Sequence, residues 1–392
     1  MKRALLILLL AIMPASLPGA AATRPASGKG GAETKPAAAL ESSAQIVRHL
    51  AADARKRAAL ARASGDARGL CRALGILRKI GEATRQESLE VVTSSLIVGD
   101  AETARNTISE MKGHELSPVV ATALEGACAE AAGNSSERDR LWDDAARRAE
   151  GSKRVLQEAM TQLDAVCGSG AGASRFAQAV LKCPPEGSRQ DIAVLFQIVI
   201  CARNAERFEE ASNALRQLST ILQRSGLDEK SMPMAQSLDL YEKAGRALRA
   251  FDGAALLEIA GKSDDDEIAV AVGRWMRLAG KGAEADRIVR GLAEKLEARI
   301  KANPNDGASR NALAWAYART KTNLEEARKL AERAVELSPD EGAYLDTLAE
   351  VEYALGHKEA AAQTETRAIL CPEKTSRSFY FEQLKRFKAG AQ

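Results

Sequence analysis

Residues 311–372 repeat themselves with a period of about 34. The stretch NALAWAYARTKTNLEEARKLAERAVELSP is followed by YLDTLAEVEYALGHKEAAAQTETRAILCP. Ala327 and Ala361 stand 34 residues apart, as do Ala334 and Ala368, and the pair Leu313-Ala314 returns as Leu348-Ala349. Small residues at fixed places inside apolar helical stripes let one helical hairpin nest against the next. Such a period dictates a stack of hairpins, and stacks of this kind present binding surfaces more readily than active-site clefts.

The rest of the chain is consistent with that constraint. From Ser42 onward, helical segments alternate with short breakers such as Ser64-Gly65-Asp66, Gly81, Gly99-Asp100 and Pro184-Pro185. Ala, Leu, Arg and Glu dominate, and no stretch alternates polar and apolar residues as a half-buried strand does. The expected fold is all-α, an α-solenoid of helical hairpins. Residues 191–203 and 206–224 read as one such hairpin, and the segment GSGAGAS (168–174) reads as an interruption between helices. The upstream pairs vary in length, so 42–266 is expected to be a region of degenerate helical repeats and 267–392 the regular one.

The first 22 residues stand outside this scheme. Lys2 and Arg3 precede an apolar run from Ala4 to Met13, Pro14 and Pro18 follow, and Ala20-Ala21-Ala22 offers a cleavage site. Ten apolar residues fall short of the roughly 20 that span a bilayer, so the pattern is that of a secretory signal peptide. Export to a periplasmic or extracellular space follows from it, with no transmembrane segment in the mature chain. Residues 23–41 are rich in Pro, Gly and Ala and are expected to form a flexible linker.

Composition narrows the function classes. The 56 basic and 53 acidic residues give a net charge of +3, two of which are Lys2 and Arg3, leaving +1 without the leader. Both signs are interleaved along the chain, and the basic stripe of a nucleic-acid binder is missing. Of six cysteines (Cys71, Cys128, Cys167, Cys183, Cys201, Cys371), Cys71, Cys128 and Cys201 sit among apolar helical residues, as buried thiols do. Cys167 and Cys183 flank the Gly-rich segment and form the candidate disulfide pair.

The residues of the period resemble those of the tetratricopeptide repeat (TPR) family. Leu313, Ala314, Tyr317, Ala327, Ala334 and Pro339 match one unit, and Leu345, Leu348, Ala349, Gly356, Ala361, Ala368 and Pro372 match the next. The first unit has an extra residue around Lys321-Thr322-Asn323, and in the second Glu352 occupies the usual aromatic place. Phe379, Phe381, Leu384 and Phe387 have the spacing of the capping helix that such arrays need. In that family the first helices of the units line a concave groove that receives peptides. The resemblance implies that Asn311, Trp315, Asp346, Glu350 and Tyr353 face this groove, with Trp315 as an anchor and the two carboxylates favouring a basic segment.

Catalytic and cofactor patterns fail on inspection. His114-Glu115-Leu116-Ser117-Pro118 begins like a zinc-protease helix but carries Pro118 where the second His must stand. Gly168-Ser169-Gly170-Ala171-Gly172 follows a helix rather than a strand and lacks the Lys-Ser/Thr of a phosphate loop. No metal, cofactor or catalytic residue is expected. The leading expectation is an exported non-enzymatic adaptor that binds a protein or peptide segment. The alternatives are an enzyme with a helical active site between 150 and 265, and a self-associating structural protein.

Overall fold

A computed structural model describes residues 36–149, 151–183, 208–224, 252–262, 266–371 and 377–390, together with positions 195, 198, 199, 243, 246 and 247. The leader 1–22, most of the 23–41 linker, Cys201 and most of the 191–203 helix lie outside the described residues, as does much of the 150–265 region. Among those described are seventeen α-helices and no strand, so the chain is an all-α array of helical hairpins.

The first hairpin pairs α1 (Pro36–Ser64) with α2 (Ala67–Lys79), and α3 (Arg85–Val98) pairs with α4 (Ala101–Met111). Next come α5 (Pro118–Ala131) with α6 (Ser135–Arg148), then α7 (Lys153–Gln162) with α8 (Gly170–Lys182), the last two joined through a π-helical turn at Leu163–Cys167. Further on lie α9 (Phe208–Arg224), α10 (Gly253–Lys262), α11 (Asp266–Leu278) and α12 (Gly282–Ala302). The regular repeats are α13 (Gly307–Thr320) with α14 (Leu324–Leu337) and α15 (Gly342–Ala354) with α16 (Lys358–Leu370), followed by α17 (Arg377–Ala389).

The breakers act through identifiable caps. Asp66 accepts the Gly69 N–H at 2.8 Å. Thr84 and Glu87 form a reciprocal capping box at the start of α3, which satisfies two N–H groups left over by the first turn. At its far end α3 stops on Gly99, whose φ of +84° suits glycine.

Three expectations are corrected. The helix α1 begins at Pro36, so residues 36–41 are helix rather than linker; proline is favoured in a first turn, and the Ala-rich PAAALE that follows propagates it. The Gly-rich segment is not an interruption past Ser169, because that side chain accepts the Gly172 N–H and starts α8 at Gly170. The Cys167–Cys183 bridge is absent, and both are free thiols. With α8 lying between them, they stand at opposite ends of a 13-residue helix, about 20 Å long at 1.5 Å per residue. Cys167 is buried in the core, where loss of hydration holds its thiol protonated, while Cys183 donates to Ala179 O at 3.5 Å.

Burial divides into clusters that run along the array and one that crosses it. The largest extends from Leu89 on α3 to Ala285 on α12, and another joins α11–α15. The crossing cluster unites the first elements with the last: Ala54, Ala58, Leu70 and Leu74 share it with Ile369, Tyr380 and Leu384. Polar contacts reinforce this return of the chain on itself. Gln363 Nε2 donates to Ser64 O at 3.2 Å, and Lys388 Nζ donates to Ile97 O at 2.9 Å. The π turn also grips α17: Asp164 accepts the Ser378 N–H at 3.1 Å, and Ala165 O accepts from Arg377 at 3.0 Å.

Candidate functional site

The repeat's small residues do what their spacing requires. Ala327, Ala334 and Ala361 are completely buried and Ala368 nearly so. A second repeated contact went unread in the sequence. Gly307, at the start of α13, lies against the Tyr344 ring, and a Cβ there would stand 3.1 Å from it. Gly342, at the start of α15, lies against Tyr380 in the same way, with a Cβ distance of 3.4 Å. The glycine–tyrosine contact between α13 and α15 thus recurs between α15 and α17. By this criterion α17 occupies the first-helix place of a third TPR-like unit, and Gly307/Gly342 with Tyr344/Tyr380 carried a signal of it.

This position decides the fate of the expected groove. Asn311, Trp315 and Tyr353 are half-buried, whereas Asp346 and Glu350 are buried, with 6% and 4% of their surface exposed. Side chains of α17 cover the row. Phe379 meets Trp315 edge-on with ring centroids 6.3 Å apart, and Phe387 packs on Tyr353 at 4.8 Å. Arg386 pairs with the Glu350 carboxylate and lies over the Tyr353 ring at 4.9 Å, while Gln383 Nε2 donates to Glu350 at 3.2 Å. On the other flank Arg319 stacks on Trp315 at 5.0 Å and approaches Glu350 at 3.9 Å. Trp315, Glu350 and Tyr353 all meet α17, and Asp346 lies beside Glu350. Neither carboxyl there is open to a ligand: Glu350 is taken by Arg386 and Gln383 of the chain's own α17, and Asp346 is buried beside it.

Behind this layer sits a buried acid pair that sequence reasoning missed. Glu365 on α16 is completely buried, and neither carboxylate oxygen has a hydrogen-bond donor in reach; Asp346 Oδ1 is in the same position. Burial, with the Glu350 charge beside it, pushes the Asp346 carboxyl up to about 8, and burial together with Asp346 and Glu350 raises Glu365 well above its ordinary value. A proton held on Glu365 supplies the missing donor to Asp346 and removes the charge that burial penalises on Glu365. Arg319 and Arg386 offset part of the remaining charge. The pair is a structural contact between two protonated carboxyls at neutral pH, closed off from solvent.

The unusual Glu352 also finds a role. It is buried in the place of an aromatic, accepts from His357 Nδ1 at 2.6 Å and forms an ion pair with Arg328 at 3.4 Å. That ion cluster ties the inter-helix turn of one unit to the second helix of the previous one. The extra residue of the first unit is accommodated by two left-handed residues, Lys321 and Asn323, with φ of +54° and +44°.

No family model matches the chain, and no curated protein matches it. Among solved structures it is similar to a chain of the Naa15/Naa10 assembly bound to HypK-THB, at 16% identity over 79% of this chain, with a TM-score of 0.23. That match covers 52% of the other chain, so this chain spans about half its length. It is also similar to the P58(IPK) TPR domain, at 13% identity over 78% of this chain and 98% of that one, TM-score 0.20. The TPR2AB domain of yeast Sti1, solved as a pHSP90 complex, matches at 12% identity over 78% and 98%, TM-score 0.24. The TPR-like assignment itself rests on the hairpins and repeated contacts of this chain.

Proposed function

We propose that the protein is a non-enzymatic scaffold, exported to a periplasmic or extracellular space, that holds a protein or peptide segment on the inner face of its C-terminal TPR-like hairpins. The observation that carries this reading is the row of first helices α13, α15 and α17, stacked through a recurring glycine–tyrosine contact. Side chains on such a row form one continuous recognition strip rather than a cleft. Within the strip, Asn311 and Trp315 are half-buried and keep part of their surface exposed, while Glu350 is spent on α17 and Asp346 is buried beside it. The partner is therefore read by an aromatic anchor and an amide, with no requirement that it be basic.

Affinity capture from the exported fraction tests this. Trp315→Ala combined with Asn311→Ala should lose the partner captured by the wild-type chain while keeping its helical circular dichroism and a cooperative melt. Full retention of the partner by this variant would remove the inner face from the function. Charge reversal at either carboxyl is not a suitable test, because at Glu350 it would leave Arg386 unpaired and at Asp346 it would bury a cation, and both disturb the fold.

A further inference from the structure

Three of the four large apolar side chains exposed among the described residues lie on α1: Ile46, Leu50 and Leu60, at 57%, 46% and 64% exposure. They are not scattered over it. Ile46, Leu50, Asp53, Arg57 and Leu60 follow one another at steps of four, three, four and three residues, the seam of a two-helix coiled coil. The row spans about 21 Å at 1.5 Å per residue. It runs beside the buried stripe Ala51, Ala54, Ala58 and Ala61, which faces the protein's own core. The two charged members, Asp53 and Arg57, are exposed and pair with each other at 2.7 Å along the helix.

The order of these five residues specifies what covers them. If two copies of α1 lie antiparallel with a twofold axis at position 55, Leu50 of one faces Leu60 of the other, and Asp53 faces Arg57. The same contacts then occur again on the far side of the axis, which is the self-complementarity that a closed dimer requires. A parallel pair would set Asp53 against Asp53 and Arg57 against Arg57, and like charges on a seam are excluding. We infer that this protein forms a homodimer through an antiparallel pairing of α1 about residue 55, with a second copy of the chain as the occupant of the seam. Lys56 stands beside the axis, and its long stem lets the ammonium turn to solvent. With two leucine contacts and two ion pairs in the seam, the association is modest and concentration-dependent.

Sedimentation equilibrium of the purified full chain over a wide concentration range tests this directly. The wild-type chain should shift from monomer to dimer as concentration rises. Asp53→Arg and Arg57→Asp, each alone, set like charges across the seam and should raise the dimer dissociation constant by roughly tenfold or more. Mixing the two single variants should restore association as a heterodimer. One chain then carries two positive charges on the seam and the other two negative ones, so every facing pair is of opposite sign. Both substituted positions are solvent-exposed, so circular dichroism and the melting temperature should stay at wild-type values. A wild-type chain that stays monomeric overturns the inference. So does a dimer indifferent to both reversals, or a mixture of the two variants that fails to associate. If α1 instead binds a different protein or a membrane surface, the chain alone is monomeric, and the mixing result is lost.

Discussion

Glu365 and Asp346 show how one residue can set the pH response of a fold. Both carboxyls titrate near 4 in an unfolded chain, whereas burial holds Asp346 protonated to about 8 and raises Glu365 well above its ordinary value. Over that window the folded state binds more protons than the unfolded state, so their contribution to stability is fully present below pH of about 4 and declines as pH rises towards 8. The charged groups facing the pair are Glu350 beside them, Arg319 from α13 and Arg386 from α17. Glu365→Gln keeps a donor for Asp346 without needing a proton. It should stabilise the protein by about 1–2 kcal/mol at the alkaline end and by almost nothing at the acid end. Melts in both buffers check this, and an equal gain at the two ends would exclude the shared-proton account. None of this was legible in the sequence. The family resemblance assigned Asp346 and Glu350 to an open groove, whereas both are buried, and Glu350 is covered by Arg386 and Gln383 of a later helix. Local periodicity carries no information about such a cover.

At the scale of elements, α17 and the π turn form one joint. The sequence disclosed α17 as an amphipathic cap, because Leu384 and Phe387 fall on one helical face, and both are buried. It did not disclose that the Phe381 edge of this helix also packs on the π turn. Gly168 is the point of contact: its φ is +58°, and a Cβ there would collide with the Phe381 ring. Gly168→Ala should therefore cost about 2 kcal/mol or more through overpacking and an unfavourable backbone. Chemical denaturation measures the loss, and a near-neutral result would show that α17 can shift without penalty. The neighbouring glycines were misread for a related reason. Gly172 is needed for space, since a Cβ would stand 2.8 Å from the Trp142 ring, and Gly126 would meet the same ring at 2.5 Å. A glycine required by close packing and a glycine required by a turn look identical in a sequence.

For the whole molecule, the cluster that joins α1–α3 to α15–α17 changes how the array should unfold. An open solenoid loses stability repeat by repeat, because each hairpin touches its neighbours alone. Here the first and last hairpins support each other across almost the full length of the chain. Leu70→Ala on α2, at a site with no exposed surface, should cost about 2–5 kcal/mol. It should also speed hydrogen exchange in α17, more than three hundred residues away in sequence. Exchange confined to α1–α4 would instead mean that the two ends open separately. The 34-residue period announced the stacking, yet it contains nothing about how many units bring the chain back to its start.

That return has a consequence for how such a protein can change over generations. In a straight array, duplicating one hairpin lengthens the molecule and leaves every existing contact in place. In this chain an added unit would carry Tyr380 and Leu384 away from Leu70, and Lys388 away from Ile97. The count of hairpins is thereby fixed by geometry, as the number of staves is fixed by the hoop of a cask. Variation is left to the loops and the exposed faces.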